Sequence, residues 1–382
     1  MTGTISAVVG ARPATGGPDE PSEPGQHRAL VRRTLVTLVV VAVLALLGTV
    51  VVGLRPGAPV SAPQLRVTTA VSCPVAGSCV AMDDMGDVSV LRDGSWSAPR
   101  PVDDNSITAL SCPDPRFCVA VDNVGAALVM RGDRWSAPQV IDGRSANFGD
   151  LLSIVGLTGV SCPSPRFCVA VDALGRAVRF DGRHWQRPTL IETPVERHYD
   201  RLAAFEGMEG VACPVPGTCT AISVVGRALP FGGRAWGPGP LVEPEKAQRL
   251  AHLERQPGLT SISCPTVDFC VATDAFGEAY VYDGTTWSDA EVVDPSIATE
   301  LQANRVGPTP VSCPTTTFCM ALDSVGAAVR FDGTSWSAPV PLEPAEGMRA
   351  LSCASARFCV GVDDVGRVLR FDGTSWSAPA RL

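Results

Sequence analysis

A single unit of sequence recurs seven times along this chain of 382 residues. Its fixed points are a Cys, a second Cys six positions on and a Trp seventeen positions further, as at Cys313, Cys319 and Trp336. The copies use all 14 Cys and all 7 Trp of the chain. A period of about 40 to 50 residues is typical of propellers and solenoids, so one large repeat array is predicted rather than several unrelated domains. The other sets are Cys73, Cys79 and Trp96; Cys112, Cys118 and Trp135; Cys162, Cys168 and Trp185; Cys213, Cys219 and Trp236; Cys264, Cys270 and Trp287; and Cys353, Cys359 and Trp376.

The two cysteines of each copy are predicted to form a disulfide. The alternative is structural zinc, which needs four ligands held together, usually at gaps of about two to four residues, whereas these pairs are separated by whole repeats. Because disulfides persist in oxidising compartments, the pattern also indicates that the repeats lie outside the cytoplasm. The predicted bonds are Cys73–Cys79, Cys112–Cys118, Cys162–Cys168, Cys213–Cys219, Cys264–Cys270, Cys313–Cys319 and Cys353–Cys359.

Each copy contains four strand-like runs, which in the second copy are residues 107–112, 117–122, 126–131 and 135–141. The runs are joined by connections too short for anything but antiparallel neighbours. The sequence therefore predicts an all-β fold, a seven-bladed β-propeller of four-stranded antiparallel blades over residues 65–382. An open solenoid is the alternative, but solenoids normally require atypical end repeats, and the first and last copies match the others. No strand is obviously shared between the ends, so the manner of ring closure stays open.

The N-terminal part of the chain predicts a membrane anchor. Residues 34–54 are 21 residues without a charge, which as a helix of about 31 Å would span the hydrocarbon layer. Three arginines precede this run and only Arg55 follows it closely, a bias that places residues 1–33 in the cytoplasm as a disordered tail. Residues 55–64 are predicted to be a linker. A cleaved signal peptide is the competing interpretation, and it too would place the propeller outside the cytoplasm.

Two further recurring features have structural interpretations. The Trp of each copy, often within Asp-Gly-x-x-Trp-Ser as at Asp332, is predicted to be a wedge between blades, with ligand binding as the alternative. An Asp-x-x-Gly segment between the second and third runs is predicted to be a turn, with a ring of cation ligands as the alternative. Its aspartates are Asp122, Asp172, Asp274, Asp323 and Asp363.

The pattern Ser-Cys-Pro-x-x-x-Phe-Cys-Val-Ala-x-Asp followed by Phe-Asp-Gly-x-x-Trp-Ser resembles the repeats of secreted or membrane-anchored seven-bladed propeller proteins of actinobacteria, over residues 71–382. The Asp-Gly-x-x-Trp-Ser turn also resembles a shortened Asp-box of the sialidase-like propellers. The Arg-Ile-Pro signature of the sialidases has no counterpart in this chain. The resemblance thus implies a fold and no catalytic residue.

Composition and motifs narrow the function. A net charge of −8 argues against nucleic-acid binding, which requires clustered cations. No serine hydrolase, phosphate-loop or zinc-protease signature is present, and the four His show no metal spacing. No cofactor is expected. The sequence favours a non-catalytic binding, sensing or protein-interaction module at the bacterial cell surface. A sialidase-like or other carbohydrate-processing enzyme is the alternative, and a purely structural scaffold is a third possibility.

Unequal spacing between the repeats suggests where a partner binds. The distance from Trp to the next Cys is 16 and 17 residues in the first and last connections but 27, 28, 28 and 26 in the four between. Long, irregular connections on a rigid scaffold are common binding sites for a protein, a glycan or a cell-wall fragment. Simple surface insertions are the alternative. The candidate ligand-binding residues are Arg144, Asp150, Arg197, His198, Tyr199, Arg201, Arg249, His252, Arg255 and Arg305.

Overall fold

The computed structural model divides the chain into two compact units, Met1–Gln64 and Leu65–Leu382. It describes residues 66–143, 156–193, 195–199, 202–242, 258–293, 309–342 and 347–382. The predicted tail 1–33, membrane helix 34–54 and linker 55–64 lie outside the described residues. Within the described ranges, no helix has the length and apolarity needed to cross a bilayer.

The described residues form seven antiparallel sheets in chain order, together with one separate hairpin. Blade 1 contains β1 (Thr68–Val75), β2 (Ser78–Asp83), β3 (Asp87–Arg92), β4 (Ser95–Trp96) and β5 (Arg100–Pro101). Blade 2 contains β6 (Ile107–Asp114), β7 (Phe117–Asp122), β8 (Ala126–Arg131), β9 (Arg134–Trp135) and β10 (Gln139–Val140). Blade 3 contains β11 (Leu157–Ser164), β12 (Phe167–Asp172), β13 (Arg176–Phe180) and β14 (Thr189–Leu190), and the hairpin β15 (Val195–Tyr199) and β16 (Leu202–Glu206) follows it.

The second half of the ring repeats this plan. Blade 4 contains β17 (Met208–Val215), β18 (Thr218–Ser223) and β19 (Ala228–Gly232). Blade 5 contains β20 (Leu259–Thr266), β21 (Phe269–Asp274), β22 (Glu278–Tyr282) and β23 (Glu291–Val292). Blade 6 contains β24 (Val311–Thr315), β25 (Phe318–Leu322), β26 (Ala327–Phe331) and β27 (Val340–Pro341). Blade 7 contains β28 (Met348–Ser355), β29 (Phe358–Asp363), β30 (Arg367–Phe371) and β31 (Ala380–Arg381).

The fourth strand of blade 2 is shorter than the sequence predicts, and blade 4 has three strands and only isolated bridges, such as Arg227↔Leu241, in place of a fourth. In blade 2 the predicted run 135–141 is divided into β9 and β10, each of which pairs separately with β8. Pro138 stands between them. Proline has no N–H to donate to a ladder, so the outer edge is interrupted at this position.

The first strand of each blade is innermost, and these strands contact one another around the ring. β1 contacts β6 on one side and β28 on the other. At the closing junction the N–H of Cys73 donates to the hydroxyl oxygen of Ser352 at 2.9 Å. Blade 7 keeps all of its strands in its own sheet. The ring therefore closes by packing between blades 7 and 1, without a shared strand.

The hydrophobic core consists of seven clusters, each formed by two adjacent blades. Between blades 2 and 3, Val121 packs with Val160 and Phe180, and Trp185 covers the cluster. The rings of Phe180 and Trp185 have centroids 5.0 Å apart. The Trp of the later blade occupies the same place in every cluster, which confirms its prediction as a wedge between blades.

Each first hairpin contains the two cysteines of its copy. Their Cα atoms lie 4.0–4.1 Å apart and their sulfur atoms are at bonding distance, 2.03–2.12 Å. Every blade is thus cross-linked to itself, and no disulfide joins one blade to the next.

Candidate functional site

The propeller has two chemically different faces. On the first, which we call the staple face, the disulfide hairpins lie beside the turns between the third and fourth strands. There the N–H of Gly132 donates to the carbonyl of Arg116 at 2.8 Å. On the second, which we call the loop face, the turns between the second and third strands lie beside the connections between blades. There the N–H of Ile141 donates to the carbonyl of Gly125 at 2.9 Å.

Several turns of the staple face satisfy the carboxylate of their own aspartate. In blade 6 one oxygen of Asp332 accepts hydrogen bonds from the backbone N–H groups of Thr334 and Ser335, both at 2.9 Å, and from the Thr334 hydroxyl. These bonds lower the pKa of Asp332 to about 2. Gly333 has a φ of 101°, a left-handed conformation that favours glycine. Closely similar turns occur at Asp283 and Asp372.

Two grooves open at the outer edge beside these turns. The first, with a volume of about 870 Å³, lies between blades 6 and 7 and is lined by Arg330, Leu369 and Trp376 among others. The second, of about 340 Å³, lies in the corresponding place between blades 3 and 4 and is lined by Arg179 and Trp236 among others. The two grooves thus occupy equivalent positions at two junctions of the ring.

Buried carboxylates surround the loop face. One oxygen of Asp122 accepts hydrogen bonds from the N–H groups of Val124 and Ala126, at 3.1 and 2.6 Å. The sequence prediction of a structural turn is therefore confirmed for these aspartates. Asp83 makes the same turn in blade 1. In blade 4 the weaker acceptor Ser223 replaces the aspartate and receives the N–H of Arg227 at 3.3 Å.

A second group of acids, which the sequence reasoning missed, lies where one blade ends and the next turn begins. Asp142 follows β10 and faces the turn of blade 3, where Arg176 contacts it at 2.5 Å and contacts Asp172 at 2.7 Å. Burial and the neighbouring Asp142 carboxyl raise the pKa of Asp172, and the Arg176 charge opposes this shift. The sequence did carry a signal for this group of acids. An acidic residue directly follows an apolar residue just after several of the outer strands, as in Ile141-Asp142.

The inner strands are linked by side-chain hydrogen bonds around the central channel. The hydroxyl of Ser72 accepts the N–H of Cys112 in the next blade at 3.0 Å, and equivalent bonds form at five other junctions. Blade 4 has Ala212 at this position and cannot form the bond to blade 5. The junction of blades 4 and 5 thus lacks this serine bond.

Three of the candidate ligand-binding residues fall among the residues that the structure describes. Arg197, His198 and Tyr199 belong to β15, which pairs with β16 from Val195↔Glu206 to Tyr199↔Leu202. The sequence treated this segment as an irregular loop, and the structure corrects this to a hairpin. The remaining candidates lie outside the described residues; they are Arg144, Asp150, Arg201, Arg249, His252, Arg255 and Arg305.

The hairpin is attached where two blades approach closely. Gly207 joins β16 to the innermost strand β17, and a Cβ at this position would lie 2.4 Å from the backbone nitrogen of Gly175 in the turn of blade 3. The carbonyl of Gly207 accepts the N–H of Val224 at 3.1 Å. The hairpin therefore leaves the loop face beside the channel, at the junction of blades 3 and 4.

One tyrosine of blade 5 lies beside two carboxylates. The Tyr280 hydroxyl lies 3.1 Å from a Glu278 oxygen and 3.2 Å from an Asp274 oxygen. Burial and these two negative charges raise the Tyr280 pKa, which keeps the hydroxyl protonated. The side chain is 1% exposed, so a glycan cannot reach it. Among the residues that the structure describes, no group of three or more His, Cys, Asp or Glu side chains is arranged to hold a metal ion.

The chain is similar in structure to other propellers at low sequence identity. The solved structure of YCF48 bound to D1 peptide shares 14% identity over 81% of this chain and 94% of that chain, with a TM-score of 0.54. YCF48 from Cyanidioschyzon merolae shares 15% over 82% and 97%, with a TM-score of 0.54. U3-55K shares 8% over 79% and 90%, with a TM-score of 0.56. No protein-family model and no curated protein matches the sequence. These likenesses support the fold, and the chain is a seven-bladed β-propeller protein.

Proposed function

We propose that this propeller is a non-catalytic protein-binding module and that its loop face carries the binding site. The observation that carries the proposal is the difference between the two faces. In four blades the aspartate of the staple-face turn accepts hydrogen bonds from the backbone of its own turn, as at Asp332. The loop face instead carries the long connections and the β15–β16 hairpin.

The chemistry of the connections favours a protein or peptide with acidic groups. They contain Tyr, His and Arg, and Tyr and Arg are enriched among residues that dominate binding energy at protein interfaces. YCF48, which has the same fold, has been solved with a bound peptide, and this supports a peptide-binding role for the present ring. The buried Tyr280 gives no support to the alternative of a carbohydrate-processing enzyme.

We further propose that residues 34–54 anchor the propeller at the outer side of the cytoplasmic membrane, with residues 1–33 inside. The arginine bias around the apolar run and the seven cysteine pairs support this orientation. An export-dependent phosphatase fused after Leu382 should be active, and one fused after Gly3 should be inactive. The reverse result would invert the topology.

The binding face can be identified by photocrosslinking in intact cells. A photoreactive residue in place of His198, in the hairpin, should form an adduct with a discrete protein. The matched position is Ser335, an exposed residue of a staple-face turn beside the groove between blades 6 and 7, and it should form none. Adducts from Ser335 alone would assign binding to that groove and contradict the proposal, as would the absence of adducts at both positions.

A further inference from the structure

The junction of blades 1 and 2 contains two buried carboxylates that form no ion pair with any residue the structure describes. Asp103 follows β5 and is 6% exposed, and Asp122 in the turn of blade 2 is fully buried at 0%. Their Oδ1 atoms accept local hydrogen bonds, from Asp104 and Asn105 at Asp103 and from Val124 and Ala126 at Asp122. The Oδ2 atom of each is buried and has no hydrogen-bond partner.

The next junction shows what occupies the equivalent position. Val102 and Asp103 both donate their N–H groups to the Gly86 carbonyl, at 3.0 and 3.1 Å. Ile141 and Asp142 donate in the same way to Gly125, at 2.9 and 3.1 Å. Asp142 is therefore the counterpart of Asp103.

The equivalence between the two junctions extends to the aspartate in the turn of the following blade. The carboxylates of Asp122 and Asp172 each accept the N–H groups two and four residues on. The residue four positions on is Arg176 in blade 3, where it contacts both Asp142 and Asp172. In blade 2 this residue is Ala126, whose methyl group cannot supply a charge. The structure thus shows a bound cationic group at one junction and the same pair of acids without it at the other.

Electrostatics makes the unpaired arrangement unfavourable. Two ionised carboxylates removed from water lose hydration that only a counter-charge or a proton can replace. Burial, and then the charge of Asp103, raises the pKa of Asp122 to about 6. At neutral pH the Asp122 carboxyl is therefore still mostly ionised. The neighbouring Asn123 adds a third buried oxygen without a partner, its amide Oδ1.

We propose that Asp103 and Asp122 bind a hard divalent cation of the Ca²⁺ class in the position that the Arg176 guanidinium occupies at the next junction. Carboxylate and amide oxygens are the ligands that such ions prefer, and water and backbone carbonyls normally complete their coordination. Because Asp103 belongs to the end of blade 1 and Asp122 to blade 2, the bound ion links two blades at the loop face. This site is independent of the partner-binding function proposed above.

The test measures cation binding to the full-length protein in detergent after removal of metals with a chelator. Isothermal titration calorimetry with Ca²⁺, and with Mg²⁺ in a parallel arm, should detect one site in the wild-type protein, and saturating Ca²⁺ should raise the Tm by several degrees. Asp103→Asn removes a ligand and should reduce affinity at least 10-fold. Ala126→Arg introduces the guanidinium found at the next junction and should abolish both binding and the shift in Tm. The matched control is Asp104→Asn, an exposed acid next to Asp103, which should bind as the wild type does.

Asp103→Asn removes a ligand, whereas Ala126→Arg fills the site with a guanidinium. Either variant therefore tests the proposal if the other fails to fold. Wild-type protein that binds neither ion at millimolar concentration would overturn the proposal and would indicate a proton between the acids. Equal Ca²⁺ binding by the wild type and Ala126→Arg would also overturn it, because the ion would then lie elsewhere.

Discussion

The serine before the first cysteine of each repeat links neighbouring blades, and blade 4 lacks it. The Ser312 hydroxyl accepts the N–H of Cys353 at 3.0 Å, as its counterparts do at other junctions. Ala212→Ser should add the missing bond to Cys264 and raise the free energy of unfolding by about 0.5–1.5 kcal/mol. Denaturant unfolding of the two proteins under oxidising conditions measures the difference.

The reverse substitution is the control for this prediction. Ser312→Ala leaves the Cys353 N–H without its side-chain acceptor and should destabilise the protein by about 1–3 kcal/mol. Destabilisation by Ala212→Ser would show that the bond does not form in blade 4.

The pair Asp103 and Asp122 makes stability depend on pH. Burial and the Asp103 charge raise the pKa of Asp122 to about 6, above its ordinary value near 3.8. The folded state therefore binds more protons than the unfolded state between about pH 4 and pH 6, and Asp122 makes stability fall as the pH rises through this window.

Asp103→Asn removes the neighbouring charge and brings the pKa of Asp122 closer to its ordinary value. In chelator-containing buffer the variant should lose less stability between pH 4 and pH 7 than the wild type, by on the order of 1 kcal/mol. Urea unfolding at unit steps of pH measures the two slopes. Parallel slopes would mean that the two carboxylates do not interact.

At the scale of elements, the hairpin β15–β16 depends on the glycine at its base. Gly207→Ala places a Cβ 2.4 Å from the Gly175 backbone nitrogen, so one of the two segments must move, at a cost of about 1–3 kcal/mol. Gly232→Ala is the matched control, because a Cβ there meets nothing within 4 Å. Denaturant unfolding measures both. A Gly207 variant as stable as the Gly232 variant would show that the hairpin base is not closely packed.

The sequence predicted the first three strands of a blade well because they follow local rules. In the second copy the predicted runs 117–122 and 126–131 coincide with β7 and β8, since each is a buried apolar run bounded by turn residues. The fourth strand was predicted too long, because apolar periodicity does not register the break at Pro138. The hairpin was missed because its Arg and His residues gave it the composition of a surface loop.

The candidate site was only partly predictable for a related reason. The lengths of the connections indicated the loop face, and Arg197, His198 and Tyr199 lie on its hairpin. Asp103 escaped notice because its importance depends on Ala126 in the next blade, a contact between residues distant in the chain. The equivalence of this pair with Asp142 and Asp172, which Arg176 contacts, becomes visible only when the backbone hydrogen bonds of the two junctions are matched.

At the scale of the whole molecule, ring closure is a property that the sequence left open. Its contacts join residues about 280 positions apart, as in the hydrogen bond from Cys73 to Ser352 at a separation of 279. No local pattern encodes such a contact. The structure shows that blade 1 packs on blade 7 through Val71, Phe358 and Trp96, as other neighbours do.

Because the ring closes in this way, we expect the long connections to be dispensable for folding. Adjacent blades pack through their own interface clusters, and each blade contains its own cysteine pair. The short connection between blades 1 and 2 shows that a few residues suffice to join neighbours. This expectation agrees with the proposed binding role of the four longer connections.

The most direct test is to shorten the four long connections to the length of residues 99–108 and to measure binding of the protein captured through position 198. The shortened variant should keep the Tm of the wild type and lose binding in calorimetry. A control with alanine at the exposed staple-face residues Arg134, Arg183 and Ser335 should keep both. If the shortened, folded propeller binds its partner as tightly as the wild type, the loop face is not the binding site.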